Sequence, residues 1–189
     1  MRYVAFLRAI NTTNRRMKMT DLVRLYQDLG YASVSTSLAS GNMIFDSDSP
    51  PDIDNIEDAF ADEFAFRSEV FLRDRNQIRS ILDRVPWTEE DGIVEISFLE
   101  RQPEREAAVM LEATAVDPEG LGVNGSEVFF LRVSKEVATT HKESTSIRLL
   151  GMKMTRRGLA TVSRIHDRFI LPNVEGPDTA SNSRGRVHP

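Results

Sequence analysis

The feature that most constrains this chain is a succession of short apolar runs and amphipathic stretches that occurs twice. Residues 3–7, Tyr-Val-Ala-Phe-Leu, form a compact apolar run closed by Arg8, the pattern of a buried strand. Thr20 is placed to cap a helix whose apolar positions are Leu22, Val23, Leu25, Tyr26 and Leu29, with Gly30 as its stop. Strands over 32–39 and 43–45 follow, separated by Ser40-Gly41-Asn42. Asp52 caps a second helix that turns Ile53, Ile56, Phe60 and Phe64 inward, and Glu69-Val-Phe-Leu-Arg73 is a fourth strand. Asp74 then opens a trailing helix with Ile78, Ile81, Leu82 and Val85 apolar.

From residue 93 the succession begins again. Ile93-Val-Glu-Ile-Ser-Phe-Leu99 is a strand, and Pro103 occupies a first-turn position of a helix completed by 107–113. Residues 121–123 and 128–133 form a hairpin around Asn124-Gly125, a two-residue turn signal. A helix over 145–150, a short strand over 152–154 and a final helix over 156–169 complete the order. Each half therefore reads βαββαβ plus one helix, which assigns an α+β fold of two ferredoxin-like halves related by duplication. The expected division is 1–88 and 89–172, with a tail over 173–189 whose Ser, Asn, Gly and Pro content reads as disordered.

Topology then says where the loops point. In a βαββαβ unit the first two strands run parallel with the third between them, antiparallel to both. The end of strand one and the turn between strands two and three share one rim. Ser40, Gly41 and Asn42 are thereby placed beside Arg8, Asn11, Arg15, Arg16 and Lys18. Exposed backbone N–H groups next to several cations make an anion nest. The alternative is that Gly41 supplies only a positive φ to a hairpin and the cations are solvated loop charges. The second half offers Asn124-Gly125 beside Arg101 and Gln102, a poorer copy. A further candidate is Thr155 as the cap of the last helix, with Arg156 and Arg157 in its first turn, where an anion would offset cations that oppose the helix dipole.

Composition narrows the function classes. The chain has no cysteine, which excludes disulfides, thiolate zinc sites and a cysteine nucleophile. No run approaches the ~20 apolar residues of a membrane span, and the apolar start is too short for a signal segment, so the expected compartment is the cytoplasm. A net charge of −5 argues against a protein that coats nucleic acid. It leaves room for a local basic face over 132–168, where nine basic residues stand against Glu136, Glu143 and Asp167. Phosphate-loop glycine motifs are missing. No cofactor or metal is expected: His141, His166 and His188 lack partners at metal spacing, and Asp46-Ser-Asp48 reads as a loop cap. The sequence specifies no oligomeric state.

Several short motifs fall in a familiar order: Phe6-Leu-Arg-Ala-Ile-Asn11, Lys18-Met-Thr-Asp-Leu22, Leu29-Gly-Tyr31, Ser40-Gly-Asn-Met-Ile-Phe45, Phe71-Leu-Arg73, Val85-Pro-Trp87 and Thr155-Arg-Arg157 with Thr161-Val162. Together, over residues 2–168, they resemble the bacterial domain-of-unknown-function family 1697. The resemblance implies a small bacterial cytosolic protein of two ferredoxin-like halves with no established biochemical activity. Its motif positions fall on Arg8, Asn11, Lys18, Ser40, Gly41, Asn42, Thr155, Arg156 and Thr161. Ala9 stands where the family's usual glycine follows the first-strand arginine, Thr12-Thr13-Asn14 replaces a glycine-rich loop, and Arg157-Gly158 and Ala160 replace an Asn-Trp-Asn motif.

Three functions follow as expectations. The first is binding of a small anionic ligand, a nucleotide or phosphate-bearing metabolite, by Arg8, Asn11, Lys18, Ser40, Gly41, Asn42, Thr155 and Arg156. The second is nucleic-acid binding through the 132–168 face. The third is a transferase-type enzyme with His141 or His166 as base.

Overall fold

A computed structural model describes residues 1–10, 17–38, 41–134, 139 and 141–171. The element order is β1 (Arg2–Leu7), α1 (Met19–Asp28), β2 (Ala32–Thr36), β3 (Asn42–Asp46), α2 (Ile53–Phe64), β4 (Val70–Asp74) and α3 (Arg75–Asp83). It continues as β5 (Ile93–Leu99), α4 (Arg105–Glu112), β6 (Gly120–Asn124), β7 (Glu127–Arg132), α5 (Glu143–Leu150), β8 (Met154–Gly158) and α6 (Leu159–Ile165), ending in a π-helical turn over His166–Ile170. The strands form two four-stranded sheets, ordered β2-β3-β1-β4 and β6-β7-β5-β8. Every pairing is antiparallel, so β1 and β2 run parallel on either side of β3, as the ferredoxin-like order requires. The second sheet repeats this strand for strand.

Strand alternation builds three packed layers. Tyr3, Ala5 and Leu7 face α1 and α2, where they meet Leu22, Tyr26, Ile56 and Phe60. Val4 and Phe6 point the other way, into a core shared with Ile96, Phe98 and Phe129 of the second sheet. The trailing helices complete that shared core with Ile78, Ile81, Val162 and Ile165. On the far face of the second sheet, Leu111 of α4 and Leu150 of α5 pack on Leu121, Val128 and Phe130. Phe6 and Phe98 stack with ring centroids 3.9 Å apart, both fully buried. Burial of each such side chain contributes about 1.5–3 kcal/mol, so the shared layer, not either sheet alone, joins the halves.

Asp52 and Asp74 cap α2 and α3 as expected, the latter with Gln77 in a reciprocal capping box. Four expectations are corrected. The cap of α1 is Lys18, without a side-chain bond, rather than Thr20, which lies inside the helix. Pro103 precedes Glu104, the cap of α4, rather than sitting in its first turn. Strand β2 ends at Thr36, because Leu38 takes a left-handed φ of 62° that breaks the extended run. Most consequentially, Thr155 and Arg156 are strand residues of β8: the last helix begins at Leu159, after Gly158, so Thr155 caps nothing. The proposed tail over 173–189 lies outside the described residues.

Candidate functional site

Strand register brings the end of β1 against the glycine turn. Leu7 N–H donates to the Gly41 carbonyl at 2.8 Å, and Phe6 stands opposite Asn42. Gly41 has φ +73°, and a Cβ there would drive into the Ile10 side chain, so this turn needs glycine for both conformation and space. Arg8 follows directly. Its backbone N–H is held by the Glu69 carbonyl at 2.9 Å, and its guanidinium stands 3.6 Å from the Glu69 carboxylate. Lys153 reaches the same carboxylate at 2.5 Å. Burial pushes the Glu69 carboxyl up, but the Lys153 hydrogen bond, a backbone hydrogen bond and the charges of Lys153 and then Arg8 together hold it below the ordinary range. The Lys153 ammonium is raised in turn by its bond to Glu69. Lys18 is exposed at the start of α1. Asn11, Ser40, Arg15 and Arg16 lie outside the described residues.

The other predicted residues divide by the two faces of β8. Thr155 and Arg157 turn toward the first sheet: Thr155 Oγ1 lies 3.5 Å from the Leu7 carbonyl, and Arg157 donates to the same carbonyl at 2.8 Å. Arg157 Nε also donates to Asn42 Oδ1 at 2.6 Å, while Asn42 Nδ2 donates to the Ser37 carbonyl at 2.8 Å. Asn42 is fully buried, so its amide braces the turn from within. Burial pulls the Arg157 guanidinium down to about 10. Arg156 points to the opposite face, where it meets Glu95 at 3.2 Å, Ser97 at 3.1 Å and the Phe130 ring. The sequence paired Arg156 with the rim; the strand pleat brings Arg157 there instead.

The basic stretch over 132–168 is likewise no single face. Arg156 and Arg157 leave β8 on opposite sides, Lys153 is committed to Glu69, Arg148 lies on α5, and Lys135 is outside the described residues. The histidines stand elsewhere. His141 is buried with Nε2 2.7 Å from Ser146 Oγ, and His166 pairs with Asp167 at 3.0 Å. Burial, then the positive charge of Arg156, lowers the His141 imidazole, with Glu119 opposing. Asp46, considered as a cation ligand, is taken by Arg2 in a two-point pair at 2.8 and 3.0 Å. Among the described residues no group of three or more His, Asp or Glu is placed to hold a metal ion. No described helix is long and apolar enough to cross a membrane.

The model of a family of proteins of unknown function, DUF1697, matches residues 1–129. The chain belongs to this DUF1697 family. That match covers the first half, β5 and the hairpin up to Phe129, so it contains the rim residues of β1 and β3 but not β8. The fold likeness runs further. The solved structure of a conserved bacterial protein from Streptococcus pneumoniae superposes with a TM-score of 0.71 at 20% identity, covering 88% of this chain and 97% of that one. No curated protein matches this sequence significantly.

Proposed function

We propose that this DUF1697 protein is a cytoplasmic protein that binds a small anionic ligand, a nucleotide or other phosphate-bearing metabolite, at the rim formed by Arg8, Lys18 and the turn at Gly41. Asn11 and Ser40 would contribute polar groups from the adjoining loops. The observation that carries the reading is the 2.8 Å bond from Leu7 N–H to the Gly41 carbonyl, which sets Arg8 beside the glycine turn. Arg8 is only loosely engaged at 3.6 Å and shares the Glu69 carboxylate with Lys153, which leaves its guanidinium available to an anion. Asn42 and Arg157 act behind the turn, holding its shape rather than touching the ligand.

Comparison of the halves supports the choice of rim. Aligning Leu7 with Leu99, which bond Gly41 and Ser126 in the same way, places Arg8 on Glu100 and Asn42 on Glu127. Glu127 is buried and paired with Arg73 and Arg84, so the difference that bears on an anion is the position after the strand, where the first rim has the Arg8 guanidinium and the second the exposed Glu100 carboxylate.

A thermal-shift titration with AMP and glucose 6-phosphate tests the reading. Millimolar ligand is expected to raise the melting temperature, and Arg8→Ala or Lys18→Ala to abolish that rise while leaving the unliganded protein folded. A protein indifferent to both ligands, or one whose response survives both substitutions, ends the proposal.

A further inference from the structure

At the opposite end of the first sheet lies a crevice of about 650 Å³, walled by the start of β1, the first turns of α3 and the π-helical turn. Its charged and amide lining is Arg2, Asp46, Arg75, Asn76, Arg79 and Arg168, with Phe169 beside them. Arg2 forms the fixed wall, bridging Asp46 on β3 and the Phe169 carbonyl at 2.7 Å. The other three arginines are exposed, and among the described residues none of them has a carboxylate within ion-pair distance. The acids adjacent to Arg75 and Arg168 are committed: Asp74 caps α3 by accepting from Gln77 N–H, and Asp167 pairs with His166; Asp83, one turn beyond Arg79, forms no ion pair with it.

This arrangement runs against the local physics of the elements that carry it. Arg75 sits at the positive end of α3, and Arg75 and Arg79 are one turn apart on the same helix face, so they repel each other. Arg168 projects from a π-helical turn, a departure from α geometry that is frequent at functional sites. The second half shows that the fold does not demand these charges. With β4 aligned on β8 through the pairings Val4–Arg73 and Ile96–Arg157, Arg75 falls on Leu159 and Arg79 on Ser163, while Arg2 falls on Val94 and Asp46 on Leu131. None of these four aligned residues is charged.

We infer that the crevice is a second binding site, distinct from the rim, for a diphosphate group, with Arg75, Arg79 and Arg168 holding the phosphate oxygens. Guanidinium forks match paired phosphate oxygens, and the volume accommodates a ligand of mononucleotide size. Phe169, Ile170 and Leu171 offer an apolar flank for whatever the diphosphate carries. The diphosphate could come from a nucleotide or from inorganic pyrophosphate, and the test separates these sources.

Isothermal titration of the full chain with ADP, pyrophosphate and a twelve-nucleotide DNA strand is the experiment. Pyrophosphate and ADP are expected to bind, and the double variant R79E/R168E to weaken both by about tenfold or more. R79E/R168E is expected to leave the Arg8-dependent rise in melting temperature with AMP in place, which separates this site from the rim. ADP binding more tightly than pyrophosphate supports a nucleotide as the source, and equal affinities support recognition of the diphosphate alone. Circular dichroism of the double variant checks its fold, and Arg75→Gln provides a milder second probe. Absence of pyrophosphate binding, pyrophosphate binding that R79E/R168E retains, or binding of the DNA strand alone overturns the inference.

Discussion

The two halves fasten to each other with the same residue position, yet they fill its acceptor differently. Arg73 on β4 crosses to the second half, donating to the Leu99 and Ser126 carbonyls at 3.0 Å each and to Glu127 at 2.8 Å. Arg157 on β8 makes the reciprocal crossing to the Leu7 carbonyl and to Asn42. Each guanidinium also lies over the partner half's stacked phenylalanine, Arg73 at 5.5 Å from Phe98 and Arg157 at 5.7 Å from Phe6. Glu127, only 3% exposed, is a buried carboxylate shared by Arg73 and Arg84; its counterpart Asn42 is a neutral amide. A duplicated fold can thus keep its geometry while one copy closes the joint with an ion pair and the other with dipoles. The second joint seals its rim with charge, whereas the first leaves its rim cations facing outward.

The sharpest way to break this comparison is Glu127→Ala. It strands the Arg73 guanidinium in a buried site and is expected to cost about 3–5 kcal/mol in urea denaturation, the usual penalty for removing one partner of a buried pair. Glu127→Gln, which gives the second joint the amide chemistry of the first, should lose clearly less. Equal losses would mean that the carboxylate's charge contributes nothing and that the joints are equivalent in kind. Arg157→Met comes next. Methionine preserves much of the packing on Phe6 but deletes the donors to Leu7 and Asn42, so a loss of about 1–3 kcal/mol is expected. If this change were neutral, the amide joint would be a by-product of packing.

How far these joints could be foreseen from the sequence depends on which periodicity carried the information. Both sheets are legible because residues 3–7 and 43–45 in the first and 93–99 and 128–133 in the second are apolar-rich runs of strand length, and Asp52 and Asp74 mark helix starts of the first half chemically. The order of elements then gave the rim, and Leu7 does bond Gly41. β8 was misread because Met154-Thr-Arg-Arg-Gly has no apolar alternation: its inward residues, Thr155 and Arg157, face a polar rim instead of a core. Even with the strand recognised, deciding between Arg156 and Arg157 needs the register, since a slip of one residue exchanges the faces. Glu69 and Lys153 meet across 84 positions, and no local pattern announces such a pair. The crevice at the other end was equally hidden, because Arg2, Arg79 and Arg168 converge only through tertiary packing.

A smaller effect sharpens the comparison at the first rim itself. Ala9 has a φ of 54°, a left-handed conformation that costs a residue with a Cβ about 1–2 kcal/mol. Ala9→Gly should release that strain, less the added backbone entropy of the unfolded chain, for a net gain of about 0.5–1 kcal/mol. The aligned residue in the second half, Arg101, is not among the positive-φ positions, so Arg101→Gly should bring no gain. A gain at both sites, or at neither, would show that the rims do not differ in backbone strain.

The last difference is a proton. Only the second half encloses an imidazole: His141 sits behind Arg156, against the Phe130 ring and Ser146, with Glu95 holding Arg156 and Glu119 nearby. Burial is the main cause of its lowered affinity for a proton, and Arg156 adds to it. The folded chain therefore keeps the ring neutral at a pH where the unfolded chain has begun to protonate it. The unfolded state binds more protons in that window, so stability rises with pH there. This contribution is complete above the ordinary histidine value of about 6.5 and is lost as pH falls from there through the lowered value of the folded state. His141→Gln should flatten that part of the stability profile relative to the parent, with the carboxylates common to both proteins cancelling in the difference. Identical slopes for parent and variant between pH 7 and pH 5 would place the titration elsewhere, and the second half would then hold its histidine without energetic consequence.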